Sequence, residues 1–318
     1  MIHFQSFENV KLENAWATIG MFDGVHRGHQ AILTPLAAEA HAAGSPAVVV
    51  TFFPHPAVAL RGLDEAMYLT SPEERARLLG EIGIDAVVTL TFDRALASLS
   101  AEEFMRQMSS ALGLRRLWVG DDFALGRNRQ GDLPVLRALG EQMGYSLHVT
   151  SEVRLPNVDG SAGKPGGRIS SSAIRGLLRD GKAAEAAKML GRPYALEGKV
   201  IHGHGRGRQL GFPTANIAYW QKKVVPAYGV YATWTWANGQ RIASVSSVGV
   251  RPTFDPPGSP PRAEAYLIDF EGDLYDQHAR VEFLEFLRPE LRFDSAQALI
   301  DQMVQDTQNA REVLAHAA

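Results

Sequence analysis

The sequence predicts an α/β domain with a doubly wound parallel sheet, followed by a small antiparallel β-barrel domain that ends in one helix. Short apolar runs alternate with helical patterns through the first half of the chain, which is typical of right-handed β-α-β units. After about residue 190 the hydrophobic period falls from 3.6 toward 2, as expected for short antiparallel strands. One amphipathic segment near residue 300 supplies the final helix.

Apolar runs in the first half predict five strands of the parallel sheet: Trp16–Gly20, Ala47–Phe53, Ala86–Thr91, Leu117–Val119 and Ser146–Thr150. Ser71 and Ser100 each stand three residues before a glutamate, the pattern of a helix capping box. Pro35 lies inside the helix expected after the first strand and predicts a kink. Gly181 predicts a break between two short helices.

Alternating runs in the second half predict five further strands: Leu196–His202, Val230–Trp236, Ile242–Val248, Glu264–Phe270 and Arg280–Phe286. Hairpin turns are predicted at 238–239 (Asn-Gly) and at 271–273 (Glu-Gly-Asp). Asp294, with a glutamine three residues later, is expected to cap the last helix. A Gly-Arg-Pro stretch after residue 190 indicates a linker, so the predicted domains are 1–186 and 187–318.

Composition excludes several classes of protein. The chain has 318 residues and no cysteine, which excludes a disulfide framework, thiolate zinc sites and a cysteine nucleophile. The formal net charge is −3 with both signs interspersed, which argues against a general nucleic-acid binder. No signal peptide or long apolar span is visible. We therefore expect a cytoplasmic protein with no nucleic-acid or membrane partner.

The stretch "TIGMFDGVHRGHQAIL" (Thr18–Leu33) places two histidines where a strand gives way to a helix. In α/β sheets ligands bind beyond the carboxyl ends of strands, and a helix N-terminus there attracts phosphate. Three nearby glycines allow close backbone approach, and His26 and His29 add side-chain donors. The alternatives are a metal-binding pair, for which no third ligand is evident, or two solvated turn histidines. The pattern favours phosphate.

A second candidate phosphate site is "ISSSAIR" (Ile169–Arg175). Three serines at a helix start and an arginine in its first turns combine hydroxyls, helix N–H groups and a guanidinium. Ordinary N-capping is the alternative. It would need only one serine and would not explain the arginine.

The third stretch is "GKVIHGHGRGRQLGFPTANI" (Gly198–Ile217), which has closely spaced glycines but no P-loop ending. It could be a flexible loop or an RNA-binding glycine-arginine segment. Since ordered apolar sequence follows at once, a backbone cradle for ATP phosphates is favoured. Thr214 and Asn216 would supply oxygen ligands to Mg²⁺, a hard cation.

These motifs together resemble the bacterial bifunctional riboflavin kinase/FMN adenylyltransferase (FAD synthetase) family. "GMFDGVHRGH", "VVTFFPHP", "LTSPEERARLL", "VGDDFALGRNRQGD" and "ISSSAIR" follow the family order in the first half. "LGFPTANI", "VGVRPTF", "AEAYLIDFEGDLY" and "FLRPELRFDS" follow it in the second. The resemblance covers essentially the whole chain.

The resemblance implies a Rossmann-like nucleotidyltransferase domain and a riboflavin kinase barrel. The barrel would convert riboflavin and ATP to FMN, and the first domain would convert FMN and ATP to FAD and pyrophosphate. ATP is then a co-substrate of both steps and Mg²⁺ their cofactor. The expected partners are riboflavin, FMN, FAD and ATP, bound by a monomer or a weak homo-oligomer.

The resemblance also assigns site residues. In the first domain His26 and His29 are catalytic. ATP and phosphate are bound there by Gly20, Phe22, Asp23, Gly24, Gly28, Ser171, Ser172 and Arg175. The flavin pocket is lined by Phe52, Pro54, Pro56 and Asp122, with Phe123 beside it. In the kinase Glu264 is the base, and ATP is bound by Gly203, Gly205, Arg208, Pro213, Thr214 and Asn216. Arg288 lies near the kinase flavin, and Thr214 and Asn216 bind the metal.

The residues alone leave three points open. They do not choose Glu264 as base over Asp269 or Glu282. A nucleotidyltransferase acting on another phosphate, such as a phosphopantetheine, would explain only the first half. A non-catalytic flavin- or nucleotide-binding regulator is a further alternative.

The chain also departs from the family pattern at several positions. Met21 stands where the family has Asn, Phe53 where it has an acidic residue, and Ser172 where it has Thr. Ala263 stands at a usual Thr or Val, and Asp276 at a usual Gly. Ser172 keeps the hydroxyl, and neither Ala263 nor Asp276 removes a reactive group. Phe53 replaces a charge beside the flavin pocket and bears more on the details of that pocket than on the reaction.

Overall fold

The computed structural model describes residues 1–62, 68–150, 169–203, 211–250 and 260–316. These residues divide into two compact units. The first contains 1–62, 70–150 and 169, and the second contains 68–69, 170–203, 211–250 and 260–316. No helix in these ranges is long and apolar enough to cross a membrane.

The first unit is built on a six-stranded sheet in which every neighbouring pair is parallel. Its strands are β1 (Ile2–Phe4), β2 (Trp16–Ile19), β3 (Ala47–Phe53), β4 (Ala86–Thr91), β5 (Arg116–Gly120) and β6 (Ser146–Thr150). The spatial order is β1-β4-β3-β2-β5-β6. The five predicted strands are confirmed, and β1 was missed because three residues carry too short a pattern to recognise.

Six α-helices accompany this sheet in the described part of the first unit: α1 (Arg27–Ala42), α2 (Pro56–Arg61), α3 (Pro72–Glu81), α4 (Arg94–Ser98), α5 (Ala101–Leu112) and α6 (Leu133–Met143). Both predicted capping boxes are present, since Ser71 and Ser100 each exchange hydrogen bonds with the glutamate three residues on. Helix α1 continues through Pro35.

The apolar core of the first unit lies on both faces of the sheet. Val48 and Val50 of β3 pack with α5 and α6 on one face, and Ala47 and Val49 pack with α1 and α3 on the other. Because both faces are covered, the sequence of β3 is apolar except for Thr51. The sheet therefore leaves the carboxyl ends of its strands as the place for polar residues.

The second unit begins with two helices and continues as a barrel. Its elements are α7 (Ser171–Arg179), α8 (Ala183–Leu190), β7 (Tyr194–Ile201), β8 (Thr214–Tyr219), β9 (Gly229–Ala237), β10 (Gln240–Gly249), β11 (Arg262–Leu267), β12 (His278–Arg288) and α9 (Ala296–His316). The strands close in the order β10-β11-β8-β7-β12-β9, and all their pairs are antiparallel. Gly181, with a φ of 75°, separates the two helices as predicted.

One predicted hairpin is confirmed and one is wrong. Asn238 and Gly239 both have positive φ and join β9 to its neighbour β10. The Glu-Gly-Asp turn at 271–273 connects β11 to β12, which are not neighbours: β11 pairs with β10 and β8, and β12 with β7 and β9. A strong turn sequence reverses the chain but does not determine which strands pair afterwards.

Two further expectations in this unit need correction. The phosphate cradle expected at Gly198–Ile217 overlaps strand β8, along which Ala215, Ile217 and Tyr219 alternate as buried residues. The cap of α9 is Ser295 and not Asp294, since the Ser295 hydroxyl accepts a hydrogen bond from the amide of Ala298 at 3.1 Å.

The boundary predicted after Ala186 falls inside α8. This helix packs on β12 and β7, and its residues Ala183 and Ala186 are buried. Tyr68, from the first half of the chain, also belongs to the second unit. Its backbone hydrogen-bonds to Lys222 and Val224. The division between the two domains therefore stays a prediction, and α8 gives a reason to test a cut before α7.

Candidate active sites

The first candidate site is the turn between β2 and α1, at the carboxyl end of a central strand. Phe22, Gly24 and Val25 have φ values of 46°, 81° and 40°, a left-handed backbone that non-glycine residues rarely adopt. A Cβ on Gly20 would lie 2.9 Å from the Phe22 ring, so only glycine lets that ring fold back on the turn. Such strained backbone is often found at functional sites.

The two histidines form a stacked pair at the start of α1. Their ring centroids are 3.6 Å apart with an interplanar angle of 16°. His26 is the N-cap, and its Nδ1 accepts a hydrogen bond from the amide of His29 at 3.3 Å. An accepting Nδ1 leaves the proton of a neutral imidazole on Nε2. A Cβ on Gly28 would lie 3.2 Å from the His26 ring, so glycine keeps this stack close to the backbone.

His29 is held as a neutral imidazole. Burial lowers the pKa of His29 well below its usual value, and the neighbouring His26 and the Arg75 guanidinium lower it further. Its Nδ1 is buried without a hydrogen-bond partner among the described residues. The Phe22 ring packs edge-on against it at 5.2 Å. A neutral ring with an unused polar atom suits the binding of an incoming ligand.

Asp23 is engaged by protein groups. Its side chain is only 2% exposed, and Oδ1 accepts hydrogen bonds from the Thr70 amide at 3.1 Å and the Thr70 hydroxyl at 3.2 Å. The same hydroxyl accepts from the Gly24 amide at 3.1 Å. These contacts hold the turn in shape.

The residues predicted to line the flavin pocket lie at the end of β3 or just beyond the carboxyl ends of β3 and β5, the two strands that flank β2. Phe52 packs edge-on against Phe92 at 5.6 Å, and Pro54 follows a cis peptide bond. Pro56 begins α2, and Asp122 lies just beyond β5. Because parallel strands end at one edge of the sheet, these residues share that edge with the His-Gly-His turn.

The serine cluster lies on α7, in the second unit. Ser170 is the N-cap, and its hydroxyl accepts from the Ala173 amide at 3.2 Å. Ser171 and Ser172 are therefore the first residues of the helix and are not used as its cap. The Arg175 Nη1 donates to the Ser172 hydroxyl at 3.4 Å.

The second candidate site lies on two neighbouring barrel strands. Glu264 of β11 stands opposite Asn216 of β8, and the Thr214 hydroxyl donates to Glu264 Oε2 at 3.4 Å. Thr214 and Asn216 share one face because they are two residues apart on a strand, while Ala215 between them is buried. Three oxygen-bearing side chains therefore meet on the outer surface of the barrel.

Two cavities meet these strands. One, of about 170 Å³, is lined by Phe212, Thr214, Val230, Val245, Ser247, Glu264, Tyr266, Arg288, Leu299, Met303, Asp306 and Thr307. The other, of about 490 Å³, includes Gly203 and Asn216 in its wall. A Cβ on Gly203 would lie 2.3 Å from the Asn216 amide nitrogen, so the backbone passes directly against that side chain. Pro213 is exposed beside β8. Gly205 and Arg208 lie outside the described residues.

Arg288 lies in the wall of the first cavity, paired with α9. Its Nε donates to Asp306 Oδ1 at 2.9 Å and its Nη2 to Oδ2 at 2.7 Å. Asp306 is 3% exposed and also accepts from Gln302. Sequence reasoning missed Asp306, because a carboxylate on an amphipathic helix is usually solvated.

The two alternative bases lie elsewhere. Asp269 pairs with Arg311 through both carboxylate oxygens, at 2.8 and 2.7 Å. Glu282 pairs with Arg280. Neither lines the cavity that Glu264 lines.

Comparison with known proteins places the chain in a family. Residues 190–314 match a riboflavin kinase model and residues 8–162 match an FAD synthetase model. The chain is 40% identical over 303 residues to the bifunctional riboflavin kinase/FMN adenylyltransferase of Pseudomonas fluorescens, covering 95% of this chain and 94% of that protein. The corresponding protein of Escherichia coli K12 is 38% identical, with 94% and 93% covered.

The chain belongs to the bifunctional riboflavin kinase/FMN adenylyltransferase family. A solved structure from Streptococcus pneumoniae, described as a macrolide-efflux protein, shares the fold with a TM-score of 0.84 and 30% identity over 98% of both chains. Since both halves of this chain match their own family model, an enzyme that explains only the first half is disfavoured. Residues 163–189, which include α7, fall between the two matched ranges.

Proposed function

We propose that this chain phosphorylates riboflavin with ATP at the barrel and then adenylylates FMN with a second ATP at the His-Gly-His turn. The observation that carries the proposal is that each half of the chain matches its own family model and also contains its own cluster of polar residues. Glu264, Thr214 and Asn216 meet beside two cavities in the kinase half. His26 and His29 stack at a helix N-terminus in the other half.

The kinase reaction needs a proton acceptor, because the ribityl 5′-hydroxyl is not ionised at neutral pH. Glu264 takes that proton as the hydroxyl oxygen attacks the γ-phosphorus of ATP, and ADP leaves. Its place in the wall of the 170 Å³ cavity, beside Thr214, supports this role. Arg288, in the same wall, would lie beside the flavin or its new phosphate.

The oxygen donors at this site fit Mg²⁺. The Thr214 hydroxyl and the Asn216 side-chain carbonyl are hard ligands of the kind that Mg²⁺ prefers, and Gly203 leaves room for a close backbone approach to Asn216. Bound there, the metal would neutralise charge on the ATP phosphates. Gly203, Gly205, Arg208 and Pro213 would form the backbone cradle around those phosphates.

Adenylyl transfer needs no base, because the FMN phosphate is already ionised. An oxygen of that phosphate attacks the α-phosphorus of ATP, and pyrophosphate leaves. The chain must align the two phosphates and stabilise the negative charge that builds up. The N-terminus of α1, the Nε2–H of His26 and the neutral His29 supply donors at one point. Gly20, Gly24 and Gly28 allow the approach, and Phe22 and Asp23 shape the turn.

Three further assignments belong to the same proposal. Ser171, Ser172 and Arg175 form a second phosphate clamp at the start of α7. Phe52, Pro54, Pro56 and Asp122 line the flavin pocket at the sheet edge. We also propose that the enzyme works in the cytoplasm as a monomer or weak homo-oligomer.

One assay tests the whole proposal. Purified protein is incubated with riboflavin, ATP and Mg²⁺, and the flavins are separated by chromatography. FMN should appear first and FAD afterwards, with ADP and pyrophosphate released in equal amounts to the respective products. Feeding FMN in place of riboflavin should yield FAD without ADP. Failure to form FMN would refute the kinase half, and failure to convert FMN would refute the adenylyltransferase half.

A further inference from the structure

The segment Leu69–Leu79 carries part of the family resemblance, but none of its residues has a role in either proposed reaction. It leads into α3 and reaches the His-Gly-His turn from two sides. On one side Thr70 holds Asp23 and Gly24. On the other side the Arg75 side chain, five residues further along the chain, reaches the backbone of the His-Gly-His turn.

Arg75 reaches the backbone of the His-Gly-His turn through one intermediate residue, Thr51. Its Nη1 donates to the hydroxyl of Thr51 at 2.9 Å, and that hydroxyl donates to the carbonyl of Met21 at 3.1 Å. Nη1 also lies 3.4 Å from the carbonyl of Phe52. Met21 belongs to the strained turn, and Phe52 to the proposed flavin pocket. One guanidinium thus ties together the backbones of two neighbouring strand ends.

The burial of Arg75 makes this contact unusual. Both Arg75 and Thr51 are 0% exposed, and on α3 Arg75 is followed by the buried residues Ala76, Leu78 and Leu79. A buried cation is costly compared with an apolar side chain of similar volume. Packing alone therefore favours methionine or leucine at this position.

The charge acts on the neighbouring site. Burial is the main cause of the lowered pKa of His29, and His26 and then Arg75 lower that pKa further. A fixed positive charge behind the turn also favours the anionic phosphates that the turn is proposed to bind.

We propose that Arg75 is a positioning residue for adenylyl transfer, which fixes the backbone of the His-Gly-His turn through Thr51 and places a permanent positive charge behind it. It touches neither substrate. The proposal rests on the proposed function of the turn.

The test uses substitutions that separate charge from shape. Arg75→Met removes the charge and the hydrogen bonds but keeps an apolar chain of similar length. Arg75→Lys keeps the charge but lacks the planar guanidinium group with its several N–H donors. Thr51→Val removes the relay hydroxyl with little change in volume. Arg77→Met is the matched control, since Arg77 lies on the same helix but is partly exposed and pairs with Glu81.

Arg75→Met should lower kcat for FAD formation by about 10- to 100-fold, the effect expected from a small misplacement of the reacting groups. FMN formation by the same polypeptide should stay within twofold of wild type, as an internal check on folding. Arg75→Lys should recover part of the lost rate. In NMR titrations the pKa of His29 should rise in Arg75→Met and stay near wild type in Arg75→Lys and Thr51→Val.

Several outcomes would overturn the proposal. Arg75→Met could fold and make FAD within twofold of wild type, lose both activities equally, or leave the pKa of His29 unchanged. If Arg75→Met does not fold, the test rests on Arg75→Lys and Thr51→Val. Normal kinetics of FAD formation in both variants would refute the positioning role of Arg75. If His29→Ala makes FAD normally, the proposed function of the turn fails first, and the result is distinct from a failure of Arg75.

Discussion

The two proposed sites differ in the part of the fold that would bind ATP phosphates. In the first unit the polar groups converge on a helix N-terminus, where backbone N–H groups and two stacked imidazoles would carry the binding and no residue is proposed as a base. In the barrel they project from two strands, where Glu264 lies beside a hydroxyl and an amide. The two proposed sites differ because their nucleophiles differ. An ionised phosphate needs only positive surroundings, whereas an alcohol needs a proton acceptor.

Glu264→Gln is the most severe test of this comparison. The amide keeps the shape of the side chain but cannot accept the proton, so FMN formation should fall by about 10²- to 10⁴-fold. FAD formation from supplied FMN should be unchanged, and riboflavin binding should change much less than turnover. Steady-state rates and fluorescence titration with riboflavin measure these quantities.

The controls for this variant are Asp269→Asn and Glu282→Gln. Both remove a carboxylate from the barrel, but each of these carboxylates pairs with an arginine away from the cavity. Normal turnover in Glu264→Gln together with a large loss in one of the two would move the base to that residue.

His29→Ala should act on the other site alone. Losing one donor to the phosphates should reduce FAD formation by about 10²-fold or more, while FMN formation from riboflavin stays near wild type. His41→Ala removes a histidine from the far end of the same helix, where it pairs with Asp85, and should affect neither activity. If FAD synthesis survives in His29→Ala within a few-fold, the helix N-terminus does not work through this residue.

Separating the two units should leave the kinase active. A fragment of residues 170–318 keeps α7 and α8 and should make FMN from riboflavin but no FAD. A fragment of 187–318 removes Ala183 and Ala186, which are buried in α8, and should melt at a lower temperature. Both fragments lack Tyr68, so both should be less stable than the full chain.

Circular dichroism melts and FMN chromatography compare the two fragments. If the longer fragment is folded but makes no FMN, the kinase site is shared between the units. Equal melting temperatures for the two would show that the first part of α8 adds nothing to the barrel.

The smallest expected effect is a difference in acid sensitivity. Burial lowers the pKa of His29 and His3, both in the first unit. In the unfolded chain these residues titrate near 6.5 and bind protons that the folded form does not. The free energy of unfolding should therefore be unaffected by these two groups above about pH 7 and should fall as the pH drops below the unfolded pKa. The slope is at most about 1.4 kcal/mol per pH unit for His29, and it is smaller for the partly exposed His3 because solvent screens it.

Hydrogen exchange measured at pH 7 and pH 5.5 compares α1 with β9. The free energy of opening should fall more at α1, and His29→Asn should reduce that fall. If the free energy of opening falls equally at α1 and β9, and the fall is the same in His29→Asn, then the acid sensitivity does not come from His29.

The parallel sheet was predictable because buried strands carry a strong local pattern. Ala47–Phe53 is apolar except for Thr51, and the predicted bounds of this strand agree with the observed ones. The His-Gly-His turn was predictable because the spacing of its two histidines already places them at one helix start. Thr214 and Asn216 were predicted as oxygen donors, but their position on one face of a strand was not predicted.

The remaining features depend on contacts between distant residues. Arg75 reaches Thr51 across 24 positions, and Thr51 reaches Met21 across 30, so no local pattern reports either bond. The same holds for Arg288 and Asp306, which are 18 positions apart. The wrong hairpin at 271–273 has the same origin, since strand pairing in a closed barrel is decided by all six strands together.

Helix α9 follows the barrel in the chain, yet it supplies Leu299, Met303, Asp306 and Thr307 to the cavity that contains Glu264. Domains fold in the order in which the ribosome releases them. The parallel sheet and its His-Gly-His turn can therefore form while the barrel is still being made. The barrel strands can then close without a complete kinase cavity. A nascent chain should acquire its ability to bind riboflavin last, when α9 emerges and Asp306 meets Arg288.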